Sequence, residues 1–246
     1  MTRALLVAAV AVLAFGGVRA DDAAVAVVKK AVEAHGGEDA LKKPKGGEFK
    51  VEGDVTVGAE KGKFTSTISY ALPNMFRMSV DTTLGTTKTS QTIVVNGDKV
   101  KATTGGKAQE LKDPAKGEFL QLAAVQEVSL LYPLLDDKRF TLKAEKDEKV
   151  NDKDAAVVLV SRKGMKDMRL YFDKAGGELV RFVHKMPDPF GVEAVTEVTL
   201  GEFKKFDGVL QPTVQKVRQA NKEYMTLKIL EAKMVEKPDL KAYVID

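Results

Sequence analysis

One stretch limits what this chain can become: Glu118-Phe-Leu-Gln-Leu-Ala-Ala-Val-Gln-Glu-Val-Ser-Leu-Leu-Tyr-Pro-Leu-Leu135. Beyond residue 46 the chain otherwise alternates apolar and polar residues with period two, broken by turn residues. Here the period changes. Leu120, Ala124, Val128, Leu131 and Leu135 recur at intervals of three and four, the spacing of one helical face. An apolar helix set into a β-rich chain must bury that face, and the concave side of the sheet is the available partner. The expected fold class is α+β: a large curved antiparallel sheet, an unclosed barrel of about 11 strands, with an N-terminal helix and an internal helical lid.

The alternation itself is clear. In Glu48 to Val57, Phe49, Val51, Val55 and Val57 take one face, and Glu48, Lys50, Glu52, Asp54 and Thr56 the other. One wet and one buried face marks an antiparallel sheet. Phe64, Ile68, Tyr70 and Leu72 repeat the pattern, then Phe76, Met78 and Val80 after Pro73-Asn74. Asn96-Gly97 is the strongest short hairpin signal. After the helix, apolar alternation returns from Phe140 to Val235, with turns at Asp173 to Gly177, Asp207-Gly208 and Asn221. Short links and the absence of a Pro/Ser-rich linker predict one domain over residues 21–246.

The first twenty residues stand apart. Arg3 gives a positive start, Ala4 to Phe15 is apolar, and Val18-Arg19-Ala20 places small residues at −3 and −1 of a cleavage site. Residues 1–20 are predicted to be a signal peptide cut after Ala20; an uncleaved anchor is disfavoured because the run is short. The mature chain is thus expected in the periplasm or secreted, without a transmembrane span. It would begin with a helix from Ala23 to His35, capped by Asp21 and Asp22 and stopped by Gly36-Gly37.

Composition removes several functions. Cysteine is absent, which excludes disulfides, thiol catalysis and thiolate metal sites. Lys and Arg total 39 against 35 Asp and Glu, and the leader holds two of the basics. That balance, with no basic block interleaved with aromatics, gives no reason to expect nucleic acid. Of the two histidines, His35 reads as a helix-terminal imidazole and His184 as a strand residue at the surface or rim, so no metal site and no cofactor are predicted. No Gly-x-Ser-x-Gly, His-Glu-x-x-His or phosphate loop occurs. Glu193 and Glu197 share a strand face and Asp136-Asp137 follow the helix, but both pairs read as solvated charge. The chain is expected not to be an enzyme.

Four stretches carry a resemblance. Tyr70-Ala-Leu-Pro-Asn-Met-Phe-Arg-Met78 resembles the strand–Pro-Asn–strand corner of the LolA-like group, and Ile93-Val-Val-Asn-Gly-Asp-Lys99 its following hairpin. Leu170 to Leu179 and Phe206 to Pro212 resemble its later hairpins. The group includes periplasmic lipoprotein carriers and related lipid-binding proteins. The resemblance implies an unclosed barrel with helices over its mouth and acyl chains held inside. One position departs: where the soluble carrier has a basic residue that helps gate lipid release, this chain has Leu72.

The expected role is therefore binding of a hydrophobic or amphipathic ligand, lipid or lipoprotein acyl chains, in a cavity between sheet and helices. An envelope protein is a further expected partner. The alternative is an envelope structural or interaction module of the same fold with a filled core. Cavity-lining candidates are Phe64, Ile68, Phe76, Met78, Leu120, Leu131 and Phe172, and the flexible methionines Met75, Met78, Met168 and Met225 suit an adaptable lining. Glu127 interrupts the apolar helical face, and Pro133 disfavours helix at Tyr132. The lid is thus expected to end near Leu131, or to split near Gln126, with Tyr132 to Leu135 a separate apolar clasp.

Overall fold

The computed structural model describes residues 21–113, 115–188 and 191–245; the predicted signal peptide lies outside the described residues. Two short helices, α1 (Asp22–Ala34) and α2 (Glu38–Lys42), lead into the sheet. A first run of strands follows: β1 (Gly46–Val57), β2 (Glu60–Ala71), β3 (Met75–Leu84), β4 (Thr87–Asn96), β5 (Lys99–Thr104) and β6 (Lys107–Gln109). Helix α3 (Ala115–Val128) and a 3₁₀ turn over Tyr132–Leu135 separate it from the second run. That run comprises β7 (Thr141–Val150), β8 (Lys153–Ser161), β9 (Met168–Asp173), β10 (Leu179–Pro187), β11 (Glu193–Phe206), β12 (Val209–Gln219) and β13 (Lys222–Val235). The thirteen strands exceed the expected count of about 11.

All thirteen strands form one antiparallel sheet in the order β6-β5-β4-β3-β2-β1-β13-β12-β11-β10-β9-β8-β7. Each run is a meander, and the two join side by side where β1 pairs with β13. The sheet does not close, and β6 and β7 are its edges. Consecutive strands are neighbours everywhere except across this gap. The chain leaving β6 must therefore travel from one edge of the sheet to the other, and α3 is part of that crossing. Both edges are blunted against pairing with another chain. β6 is three residues long, while β7 carries Lys-Ala-Glu-Lys-Asp-Glu-Lys and a register shift between Glu145 and Glu148.

Two helices cover the concave face from opposite flanks: α1 lies against β7 and β8, α3 against β4 and β5. Asp21 caps α1 by accepting from the Ala23 N–H at 2.9 Å, and its other oxygen accepts from Ala144 in β7. The interior divides into three apolar clusters. The largest lies beneath α1, where Ala24, Val28, Ala31 and Val32 meet Phe140, Leu170 and Phe172. A second centres on Phe49, Val51, Phe64 and Tyr70, and a third on Phe76, Ile93 and Val95 under the first turns of α3. On the convex side the C-terminal segment lays Tyr243 over Ala71 and Val94.

Candidate ligand-binding site

The three clusters do not merge. Where they meet, between α3 and the sheet, lies a cavity of about 190 Å³. Its floor takes Phe49, Val51 and Ile229 from the central cluster and Leu179, Phe182 and Leu200 from the cluster under α1. Phe76 and Met78 close one side; Leu122, Val125 and Gln126 of α3, with Ser129 just past its end, form the roof. Two glycines on the concave face of β1 flank the floor residues Phe49 and Val51 along the strand. Gly47 pairs with Tyr70 and Gly53 with Phe64. A Cβ at either would fall 2.6 Å from the Tyr70 ring or 2.8 Å from the Phe64 ring. The two aromatic rings therefore lie flat across the strand, an arrangement that protects strand glycines and lets the sheet curve. Between these rings, Phe49, Val51 and Ile68 are left facing open space.

The roof is broken where the sequence indicates. After Val128 the hydrogen bonds tighten, Leu130 N–H donating to Glu127 and Leu131 N–H to Val128. Leu131 then adopts φ 63°, ψ −53°, and Tyr132 N–H donates to the Leu130 carbonyl at 2.7 Å. This is a γ-turn of the rare, strained hand, a backbone conformation costing about 1–3 kcal/mol. Leu131 is 1% exposed, and burial of its side chain in the main core offsets that strain. Pro133 is the second residue of the 3₁₀ turn, where its missing N–H is no loss. The lid thus ends at Val128 and the clasp is separate; the alternative of two helices meeting near Gln126 does not occur.

Glu127, out of place in an apolar helix, is 4% exposed and ion-pairs with both Arg139 and Arg162. Both guanidiniums also lie over the Phe140 ring, at 5.3 and 5.2 Å from its centroid. One carboxylate so fastens the end of α3 to the loop before β7 and to the end of β8.

The imidazoles have different surroundings. His35, at the end of α1, donates from Nδ1 to the Leu210 carbonyl at 2.9 Å and accepts at Nε2 from the Leu179 N–H at 3.2 Å. Both nitrogens are spent in fixing α1 to β10 and β12, and burial pushes its pKa down. His184 is buried, not at the rim as its neighbours Arg181 and Lys185 suggested. It follows Phe182 on the inward face of β10, with ring centroids 5.8 Å apart. Desolvation, with Lys166 nearby, pushes its pKa down to about 4. Among the described residues, no group of three or more His, Asp or Glu converges as a metal site. Glu193 pairs with Lys166 and Lys185, and Glu197 with Arg181, so the two carboxylates are engaged separately.

No family model matches the chain, and no curated protein matches its sequence. Solved structures do match. A LolA-superfamily protein from Nitrosomonas europaea superposes with TM-score 0.56 at 11% identity, covering 90% of this chain and 97% of its own. A domain described as an outer-membrane lipoprotein-sorting protein from Vibrio parahaemolyticus gives 0.53 at 10% identity, covering 90% and 96%. A DUF1329-family protein from Desulfovibrio piger gives 0.56 at 10% identity, covering 90% and 97%. The fold is LolA-like.

Within this LolA-like fold the seven candidate residues separate. Ile68, Phe76 and Met78 line the cavity. Phe64 is on the same face as Ile68 but four residues along β2, about 13 Å away, with its ring over Gly53. Leu120 packs on the third cluster, Phe172 is sealed beneath α1, and Leu131 holds the strained turn. Of the methionines, Met78 alone of the four lines the cavity; Met168 is core and Met75 faces the C-terminal segment. Sequence reasoning missed Gln126, Gln211 and Gln215, because polar residues on strands and helices read as solvated.

Leu72 ends β2's corner half-buried against the central cluster. Arg77 reaches the convex side, where it donates to the Ala242 carbonyl at 3.3 Å, so it does not replace the missing basic residue. Arg139 lines a cleft with Leu72, Pro73 and Glu127, bringing a guanidinium to the corner from the other side of the lid.

Proposed function

We propose that this chain is an exported, non-catalytic carrier that holds the acyl chains of a lipid or lipoprotein between α3 and the concave face of a single domain. The observation that carries the reading is the apolar cavity at the meeting point of three cores, roofed by a helix whose end is a strained hinge and a single ionic fastening. Burial of acyl surface at about 25 cal/mol per Å² would supply the affinity. The lipoprotein-sorting description of the Vibrio structure supports the same ligand class. No described helix is long and apolar enough to cross a membrane. Export rests on the leader-like residues 1–20.

The cavity, about 190 Å³, is smaller than ordinary ligand pockets of about 300–1,000 Å³. A long chain therefore requires α3 to lift, and the hinge at Leu131 is where it turns. The same small volume favours a second reading, an envelope interaction module with a nearly filled core. Native mass spectrometry and lipid extraction of the mature protein, followed by titration with a fluorescent acyl probe, separate the two. The carrier predicts co-purifying lipid and saturable uptake. No lipid, no uptake and a protein retained in a pull-down from envelope extracts would favour the module.

A further inference from the structure

The cavity has a second property: its wall carries no charge. Asp, Glu, Lys and Arg make up 30% of the chain, yet among the described residues none of them lines it. His35 is the single titratable group there, and its two nitrogens are already bonded. The polar groups that remain are amides. Gln126 hangs from the lid, and Gln211 and Gln215 rise from β12; none of their side chains bonds to the described protein. Gln215 stands opposite Leu200, another lining residue, so an amide is set among apolar neighbours. Ser129 adds little, because its hydroxyl is committed to the Val125 carbonyl at 2.8 Å.

We infer that the cavity selects uncharged lipids, an apolar chain bearing an ester, amide or hydroxyl group, over ionised fatty acids. This rests on the reading of the cavity as a lipid site. A free amide offers two N–H donors and a carbonyl acceptor, which match an ester or hydroxyl from either side. An ionised carboxylate drawn to the same place would lose its hydration and meet no cation. The guanidiniums of Arg139 and Arg162 are outside the cavity wall, already held by Glu127. With amides on both roof and floor, the polar group of the ligand has partners at its own depth, and a charge does not.

The test is displacement of an uncharged fluorescent acyl ester from the purified mature chain by dodecanoylglycerol and by dodecanoate at pH 8. The glycerol ester should displace the probe at a concentration at least about tenfold lower, the size expected when a buried charge lacks a partner. Lowering the pH toward the carboxyl's own range should narrow that gap. Gln215→Leu and Gln126→Leu should each shrink the ratio several-fold while leaving thermal unfolding unchanged; a merely structural loss would weaken both competitors alike. Equal or stronger displacement by dodecanoate at pH 8 would overturn the inference, as would a ratio that survives both substitutions. Failure of the probe to bind at all would be seen before any competitor is added; it would remove the lipid-site reading and this inference together.

Discussion

Two helices cover one concave face, and they cover it differently. α1 presents small residues, Ala24 and Ala31, both fully buried, so its backbone comes down close on β7 and β8. It is bonded at both ends, by Asp21 to Ala144 and by His35 to Leu179 and Leu210. Helix α3 presents Leu122, Val125 and Gln126, and Ser129 just past its end, to an open space, and is followed by a strained turn beside the Glu127 fastening. The first arrangement fills the core. The second leaves room and ends in a strained turn. On the carrier reading, one flank holds the fold together and the other moves.

The largest expected effect is at the fastening. Glu127→Ala removes the shared partner of Arg139 and Arg162, and costs about 3 kcal/mol, the low end for a buried pair because both guanidiniums are partly exposed. Chemical denaturation should show that loss, and proteolysis should cut first around residues 129–131. Cleavage that starts instead in α1 would break the contrast between the flanks.

Acid should act on the opposite side. Both histidines belong to the α1 flank and its strands, and both have folded pKa values below the unfolded one. The unfolded chain then binds more protons below pH about 6.5, so stability is full above that value and is lost as the pH falls toward 4. For His184, pushed to about 4, the loss approaches about 3 kcal/mol. His184→Phe, which keeps a ring stacked on Phe182, should flatten the unfolding profile between those pH values. An unchanged profile would show that His184 is solvated.

A smaller effect separates filled from unfilled space. Ala31→Leu has nowhere to go and should cost about 1–3 kcal/mol. Ser129→Leu points into the cavity and should change stability by less than about 1 kcal/mol, while reducing uptake of an acyl probe. Similar costs at the two positions would mean that α3 is packed as tightly as α1.

Much of this was legible before any coordinates. Strict alternation decides which residues share a face, and Phe49, Ile68, Phe76 and Met78 line the same cavity. Pro133 and Glu127 located the break in the lid, because a missing donor and a stranded carboxylate are local facts. Position along a strand is not local. Phe64 and Ile68 share a face, but only the pairing of Gly53 with Phe64 decides that one ring covers a glycine while the other residue faces a void. The β1–β13 pairing that joins the two meanders, and the gap between β6 and β7, depend on contacts between distant parts of the chain. The amides of Gln126, Gln211 and Gln215 were invisible for the opposite reason: polar side chains at such positions are ordinarily wet.

The most direct test of a movable roof over a fixed floor is amide hydrogen exchange on the mature chain, with and without a saturating fluorescent acyl ester. The account predicts that residues 122–131 exchange well before residues 24–34 in the free protein, and that the ester slows exchange in the first set while leaving the second unchanged. Equal protection of the two helices, unaltered by the ester, would contradict it.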